Sequence, residues 1–373
     1  MSRPAAPTQI GRRELNRALL ARQHLLERVD RPVADELEHL VGLQAQSPVP
    51  TYYGLWSRLE PFDPDELGRL LTEREAVRMT LMRGTVHLVT VADALVLRPL
   101  VQRVIERGHT GSFGRRMGGA EPGEIATATR ELLAGEALTA RELGRRLVAR
   151  GIGDDPEAIG NAARVYVPLV QVPPRGVWGQ GGQAKYATLE AWTGRELEAE
   201  PSVEQIVLRY LRGFGPASVA DTQSWSGLTR LKEVFERLRP QLVSFDGDDG
   251  RELFDLPDAQ RPDPETRAPV RFLGEYDNVL LGHADRRRII PEGFPWNAML
   301  APGRFVNNLL VDGMLRATWW IERDGKRAAI LAIRPSGKLS RAEREEVAAE
   351  AGRTIDFAAA DAASRDVRFE PAV

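Results

Sequence analysis

Apolar positions in the first third of the chain repeat at helical spacing and then switch to alternation. Between Arg13 and Val29, the residues Leu15, Ala18, Leu19, Leu25 and Leu26 follow i, i+3, i+4 intervals, which predicts an amphipathic helix. Pro32 suits the first turn of a second helix that runs to about Leu43, with Val33, Leu37, Leu40 and Val41 inward. A third helix is expected near Thr51. Asp63–Pro64, an N-cap followed by proline at the first helical position, opens a fourth that runs to about Glu73. From Val77 the period becomes two. Val77, Met79 and Leu81 alternate with polar residues, Arg83–Gly84 breaks the run, and Val86–His87–Leu88–Val89 resumes it, a β-hairpin pattern.

The same order recurs twice. Helices over Glu121–Ala134, Leu138–Arg150 (with a Thr139/Glu142 capping box) and Pro156–Val165 precede β runs at Val167–Val172 and Lys185–Thr188. Ser202 with Gln205 and Ser218 with Asp221 then start further helices, and Gly227–Leu238 supplies another. Strands at Leu242–Phe245 and Glu252–Leu256 flank Asp246–Gly250. Helix–turn–helix followed by a hairpin is the winged-helix order, in which a helix can enter a DNA groove beside the wing. Beyond a linker carrying Pro262, Pro264 and Pro269, short β-like runs follow at Val270–Phe272, Val279–Leu281, Arg288–Ile290, Phe305–Val311, Leu315–Ile321 and Ala328–Ile333. A capping box at Ser340–Glu343 then opens a helix to about Gly352. The expected class is α+β: three tandem winged-helix units (1–110, 111–195, 196–260) and a small C-terminal antiparallel β-barrel or sandwich (270–373).

Composition narrows the chemistry. No run approaches the roughly 18 apolar residues of a membrane span, and Met1–Arg12 lacks the apolar stretch of a signal peptide, so a cytoplasmic protein is expected. With no cysteine, the chain has no disulfide, thiolate metal site or cysteine nucleophile, and its five scattered histidines show no metal-ligand spacing. No metal or cofactor is called for. A net charge of −2 argues against a globally basic binder. Yet 47 of the 51 basic residues are arginine, planar donors suited to phosphate.

The stretch Gly42–Leu43–Gln44–Ala45–Gln46–Ser47–Pro48 ends a predicted helix in an irregular turn, because the residue before proline avoids the helical region. In extended backbone, residues two apart point the same way, so Gln44 and Gln46 can converge on one target. Two glutamines at a helix end are otherwise ordinary solvated residues. Here the sequence resembles the winged-helix DNA glycosylases, enzymes that excise bulky N7-alkylated purines and unhook interstrand crosslinks. Val41 through Pro48 is similar to that family's Gln-x-Gln signature. So are Leu81–Val89, Gly215–Pro216–Ala217 with Trp225–Ser226–Gly227–Leu228, and Phe272 through Leu281–Gly282–His283–Ala284–Asp285–Arg286. Gln46 stands where another branch carries Asp, which matches the branch associated with self-resistance to azinomycin-type genotoxins.

The resemblance implies Gln44 and Gln46 as the catalytic pair, double-stranded DNA with alkylated purines as partner, and a monomer as sufficient. Alkylation at N7 already makes the departing base a good leaving group. An uncharged amide then needs only to position a water, which its oxygen and NH2 can do. With four lysines, none near this stretch, a monofunctional enzyme without amine nucleophile is expected. A crosslinked base cannot swing out freely, so an open cleft is expected rather than full extrusion. Candidate DNA contacts are Arg83 on the first hairpin; Arg141, Arg145 and Arg146 on the helix after Thr139; and Arg286 and Arg287 in a basic cluster. His87 reads as a packed structural residue. From element order alone, a winged-helix transcriptional regulator with a C-terminal ligand-sensing domain is the competing reading.

Overall fold

Side-chain caps set most of the helix starts. Asp63 accepts from the Asp65 amide at the head of Pro64–Thr72, Thr139 and Glu142 close a capping box on Ala140–Ala149, and Ser218 with Asp221 do the same for Val219–Ser226. The computed structural model describes residues 8–299 and 306–373; Met1–Pro7 and the Phe305 end of one predicted β run lie outside the described residues. The first helix is shorter than its apolar pattern suggests, Arg12–Arg22. His24 adopts φ +50° while the His24 and Leu25 amides fold back onto the Ala21 and Leu20 carbonyls, so Leu25 reaches the core past a helix end. The second helix is Val33–His39, with Pro32 as its N-cap, and Leu43 belongs to a strand.

Both hairpins of the first two blocks form as expected, Ala76–Thr80 with Val86–Thr90 and Leu169–Gln171 with Lys185–Thr188. They do not stay separate. Arg78 pairs with Gln171 and Met79 with Val170, which joins the two hairpins into one six-stranded sheet. Leu43–Gln44 forms one edge of that sheet and Leu138–Thr139 the other. The third hairpin, Val243–Gly247 with Glu252–Asp255, gains Thr8–Ile10 as a parallel neighbour.

The C-terminal expectation needs correction. Arg271–Leu273, Asn307–Val311, Met314–Asp324 and Ala328–Pro335 run antiparallel, but Ser364–Phe369 then joins parallel to Ala328–Pro335, giving an open mixed sheet. No barrel closes. The helix Arg341–Ala358 carries the chain back for that parallel pairing, and its Val347, Ala351 and Ile355 pack with Trp319, Leu331 and Ile333. One helix covers the apolar face, so a second sheet is unnecessary. Two other β-like runs are not strands: Asn278–Leu281 is a short helix, and Arg288–Ile290 lies in a turn. Their apolar residues fill the central core, which contains Leu19, Phe214, Val279 and Ile289, from irregular backbone. No helix among the described residues is long and apolar enough to cross a membrane.

Candidate active site

After His39 the chain reverses through two left-handed residues, Val41 (φ +53°) and Gly42 (φ +84°). A Cβ on Gly42 would stand 2.4 Å from Val89 Cγ1 and 2.8 Å from the Leu88 carbonyl, so glycine alone fits. The Asn278 side chain donates to the Gly42 carbonyl at 3.0 Å. Leu43–Gln44 then pairs with the first hairpin, Leu43 opposite Leu88 and Gln44 opposite His87, and the Ala45 amide donates to the Val86 carbonyl at 2.7 Å. Leu43 and Ala45 are buried in the core, whereas Gln44 is half-buried and Gln46 exposed. Only Gln44 belongs to the strand; Gln46 follows in the bend that leads to Val49–Trp56, so its exposure comes from the turn rather than from strand alternation.

The backbone between them is held from below. Arg78 donates from Nη2 to the Ala45 carbonyl at 2.6 Å and from Nη1 to Gln171 Oε1 at 2.8 Å. It is only 1% exposed and has no carboxylate partner among the described residues, and burial pushes its pKa down to about 10. A guanidinium carried into the interior on neutral acceptors alone is costly unless well bonded. It ties the Ala45 peptide to both hairpins at once. Sequence reasoning missed it, because a polar residue on an alternating strand reads as solvent-facing.

Arg83, expected as a DNA contact, is bonded within the site itself. At the tip of the first hairpin it takes φ +56°, an unfavourable region for a residue with a side chain. Its Nη2 donates to Gln44 Oε1 at 2.7 Å and its Nη1 to the Trp225 carbonyl. Gly227 (φ +79°) permits this approach, since a Cβ there would lie 2.6 Å from Val104 Cγ1 and 3.4 Å from the Arg83 amide. Burial pushes the Arg83 pKa down to about 10, with the charge of Arg286 adding to it. His87, opposite Gln44, is buried and held near pKa 3, first by burial and then by Arg83, so it is neutral and structural. The four short motifs therefore meet at one place. Gln44 lies on the first, Arg83 on the second, the Trp225 carbonyl and Gly227 on the third and Asn278 on the fourth.

Of the remaining candidates, Arg286 alone acts on this cluster, through the charge of Arg83. Arg146 pairs with Glu136 at 2.6 Å, and Arg287 with Asp285 at 2.7 Å and Asp249 at 3.4 Å, so neither offers a free guanidinium. Arg141 and Arg145 are exposed, with no bond tying them to Gln44. Arg286 is exposed and close enough to Arg83 to act on its charge. Among the described residues, no group of three His, Asp or Glu side chains is placed to hold a metal ion. The arrangement offers an oriented carboxamide at Gln44, an exposed amide two residues on at Gln46, and a local excess of positive charge.

Residues 37–357 match the family described as DNA glycosylase AlkZ-like. The chain is 26% identical over 329 residues to an interstrand DNA cross-link repair glycosylase of Streptomyces sahachiroi, covering 81% of this chain and 85% of that relative. It is also similar in fold to the solved Streptomyces sahachiroi DNA glycosylase AlkZ, with TM-score 0.75 at 20% identity over 97% of this chain and 100% of the other.

Proposed function

This chain belongs to the AlkZ-like DNA glycosylase family, and from that premise we propose that it hydrolyses the N-glycosidic bond of N7-alkylated purines in duplex DNA, bulky adducts and interstrand crosslinks included. Gln44 and Gln46 are the catalytic residues of this reading. The observation that carries it is the Arg83–Gln44 bond of 2.7 Å, which spends one lone pair of Oε1 and fixes the amide plane. The remaining lone pair and the Nε2 hydrogens are then aimed, and a water held between Gln44 and Gln46 bonds to the anomeric carbon as the C–N bond breaks; the bond's electron pair neutralises the departing cationic base, and the water's spare proton passes to bulk solvent. Donation from a guanidinium makes the Gln44 oxygen a poorer base, so its part is to position the water rather than take its proton. The substrate range follows: cationic N7 adducts react, and undamaged purines do not.

The helix–strand–helix–helix–hairpin order of the first two blocks, and the three helices and hairpin of the third, where an isolated Ala217–Phe254 bridge stands in place of the strand, support reading residues 1–110, 111–195 and 196–260 as winged-helix units, with residues 270–373 as a β-rich unit beside them. Three such units in one chain supply a DNA-sized surface without a partner copy, and the enzyme works as a monomer in the cytoplasm or nucleoid. No lysine stands beside the amides in sequence, so the reaction ends at an abasic site. The name of the relative supports interstrand crosslinks as substrates, and self-protection against a bifunctional alkylating agent is the role this reading gives the enzyme. The test is base release from a duplex carrying N7-methylguanine or a crosslink, comparing wild type with Gln44→Ala and Gln46→Ala. Release should fall sharply in both variants, and unchanged release would remove the assignment.

A further inference from the structure

Partly exposed arginines in this chain commonly face a carboxylate: Arg116 faces Asp155 and Glu157, Arg239 faces Glu236 and Glu252, and Arg287 faces Asp285. Arg83 and Arg164 break that habit together. Both line one open cleft of about 290 Å³. Arg164 stands on the helix Pro156–Tyr166 and donates only to Asn161 Oδ1 at 3.3 Å and Thr80 Oγ1 at 3.5 Å, the outer edge of hydrogen-bond range. Its Nε is buried with no partner at all, and its guanidinium lies 5.3 Å from the Tyr186 ring centroid. Arg83 spends its bonds on two neutral oxygens, the Gln44 amide and the Trp225 carbonyl. Neither arginine has a carboxylate partner among the described residues.

We propose that this cleft seats a backbone phosphodiester of the bound duplex, gripped by Arg164 on one wall and Arg83 on the other. The proposal rests on the DNA glycosylase reading above. Two planar donor forks with spare N–H groups suit phosphate oxygens, and the long bonds that Arg164 now makes are weak enough to exchange. Ile105, Phe113 and Val165 line the same cleft, which gives the sugars flanking a phosphodiester an apolar surface that a free inorganic anion would not use. Because Arg83 also holds Gln44, the seated phosphate lies one side chain from the catalytic amide. It sets the register of the damaged nucleotide and offsets the positive charge that Arg83 brings near a cationic transition state.

The test is the salt dependence of binding to an undamaged labelled duplex, followed by fluorescence anisotropy. Each phosphate contact contributes about 0.9 to the slope of log affinity against log salt, so Arg164→Ala should lower the slope by about that amount. At low salt it should weaken binding about tenfold. Arg164→Lys should keep the slope, Arg164→Gln should lose it as Ala does, and Arg341→Ala, an exposed pair with Glu345 on the terminal helix, should change nothing. If the alanine variant fails to fold, the Lys–Gln comparison decides alone. A slope in Arg164→Gln equal to wild type overturns the site. Base release by the wild-type protein, measured on alkylated duplex in parallel, separates this from the functional reading: absent release sinks the glycosylase assignment, whereas the slopes judge the phosphate seat.

Discussion

Arg83→Ala removes one donor from Gln44 and one from the Trp225 carbonyl without touching either amide of the Gln-x-Gln stretch. A hydrogen bond from a charged donor is worth about 1.5–3 kcal/mol, and the Arg83–Gln44 contact at 2.7 Å is well placed to lie in that range. If the bond orients Gln44 in the transition state, its loss should lower the single-turnover rate of N7-methylguanine release by about ten- to a hundredfold. The informative comparison is a double-mutant cycle with Gln44→Ala. Once Gln44 is gone, Arg83 has nothing to orient, so Arg83→Ala on that background should cost little more, leaving a coupling of at least about 1 kcal/mol. Rates should be measured at saturating enzyme, which removes any contribution from weaker DNA binding. Fully additive losses in the cycle would refute the reasoning, because they would mean that Arg83 serves binding or folding and not the amide.

Other outcomes follow from the same contacts. Gly42→Ala forces a side chain at φ +84° to within 2.4 Å of Val89 Cγ1, and a loss of about 2–4 kcal/mol should appear in urea unfolding together with weakened activity. Arg78→Lys keeps the charge but not the fork that spans the Ala45 carbonyl and Gln171; kcat should fall while KM moves little, and a matched drop in duplex affinity would speak against a positioning role. His87 is neutral in the fold, with its pKa near 3 against an ordinary 6.5, so the unfolded chain binds more protons than the native one between those values. The associated stability is present above pH 6.5 and lost as pH falls. By pH 5 the loss amounts to about 2 kcal/mol from this residue, and the buried His283, held near 3 by burial, acts in the same direction. Urea titrations from pH 7 to 5 should show that decline, with a shallower slope in His87→Gln; identical slopes would remove the assignment.

Local chemistry in the sequence was enough for the elements. Capping residues at Asp63, Thr139, Ser202, Ser218 and Ser340 start helices where they were expected, because a cap involves only its own first turn. The period-two runs at Ala76–Thr80 and Val86–Thr90 likewise pair as read. Gln44 falls on the strand edge that pairs with His87, while Gln46 lies in the turn before Pro48 that the proline marks in the sequence. What local pattern does not encode is which distant groups come together. The open C-terminal sheet depends on a parallel pairing between Ala328–Pro335 and Ser364–Phe369, strands separated by a whole helix. The bonds to Gln44 and Ala45 come from Arg83, 39 residues onward, and Arg78, 33 onward, and the cleft needs Arg164 from the second block. A guanidinium looks the same in sequence whether it faces water, a carboxylate or an amide. Only the packing of three hairpins and their helices tells these cases apart, because burial and partner identity are properties of the assembled chain.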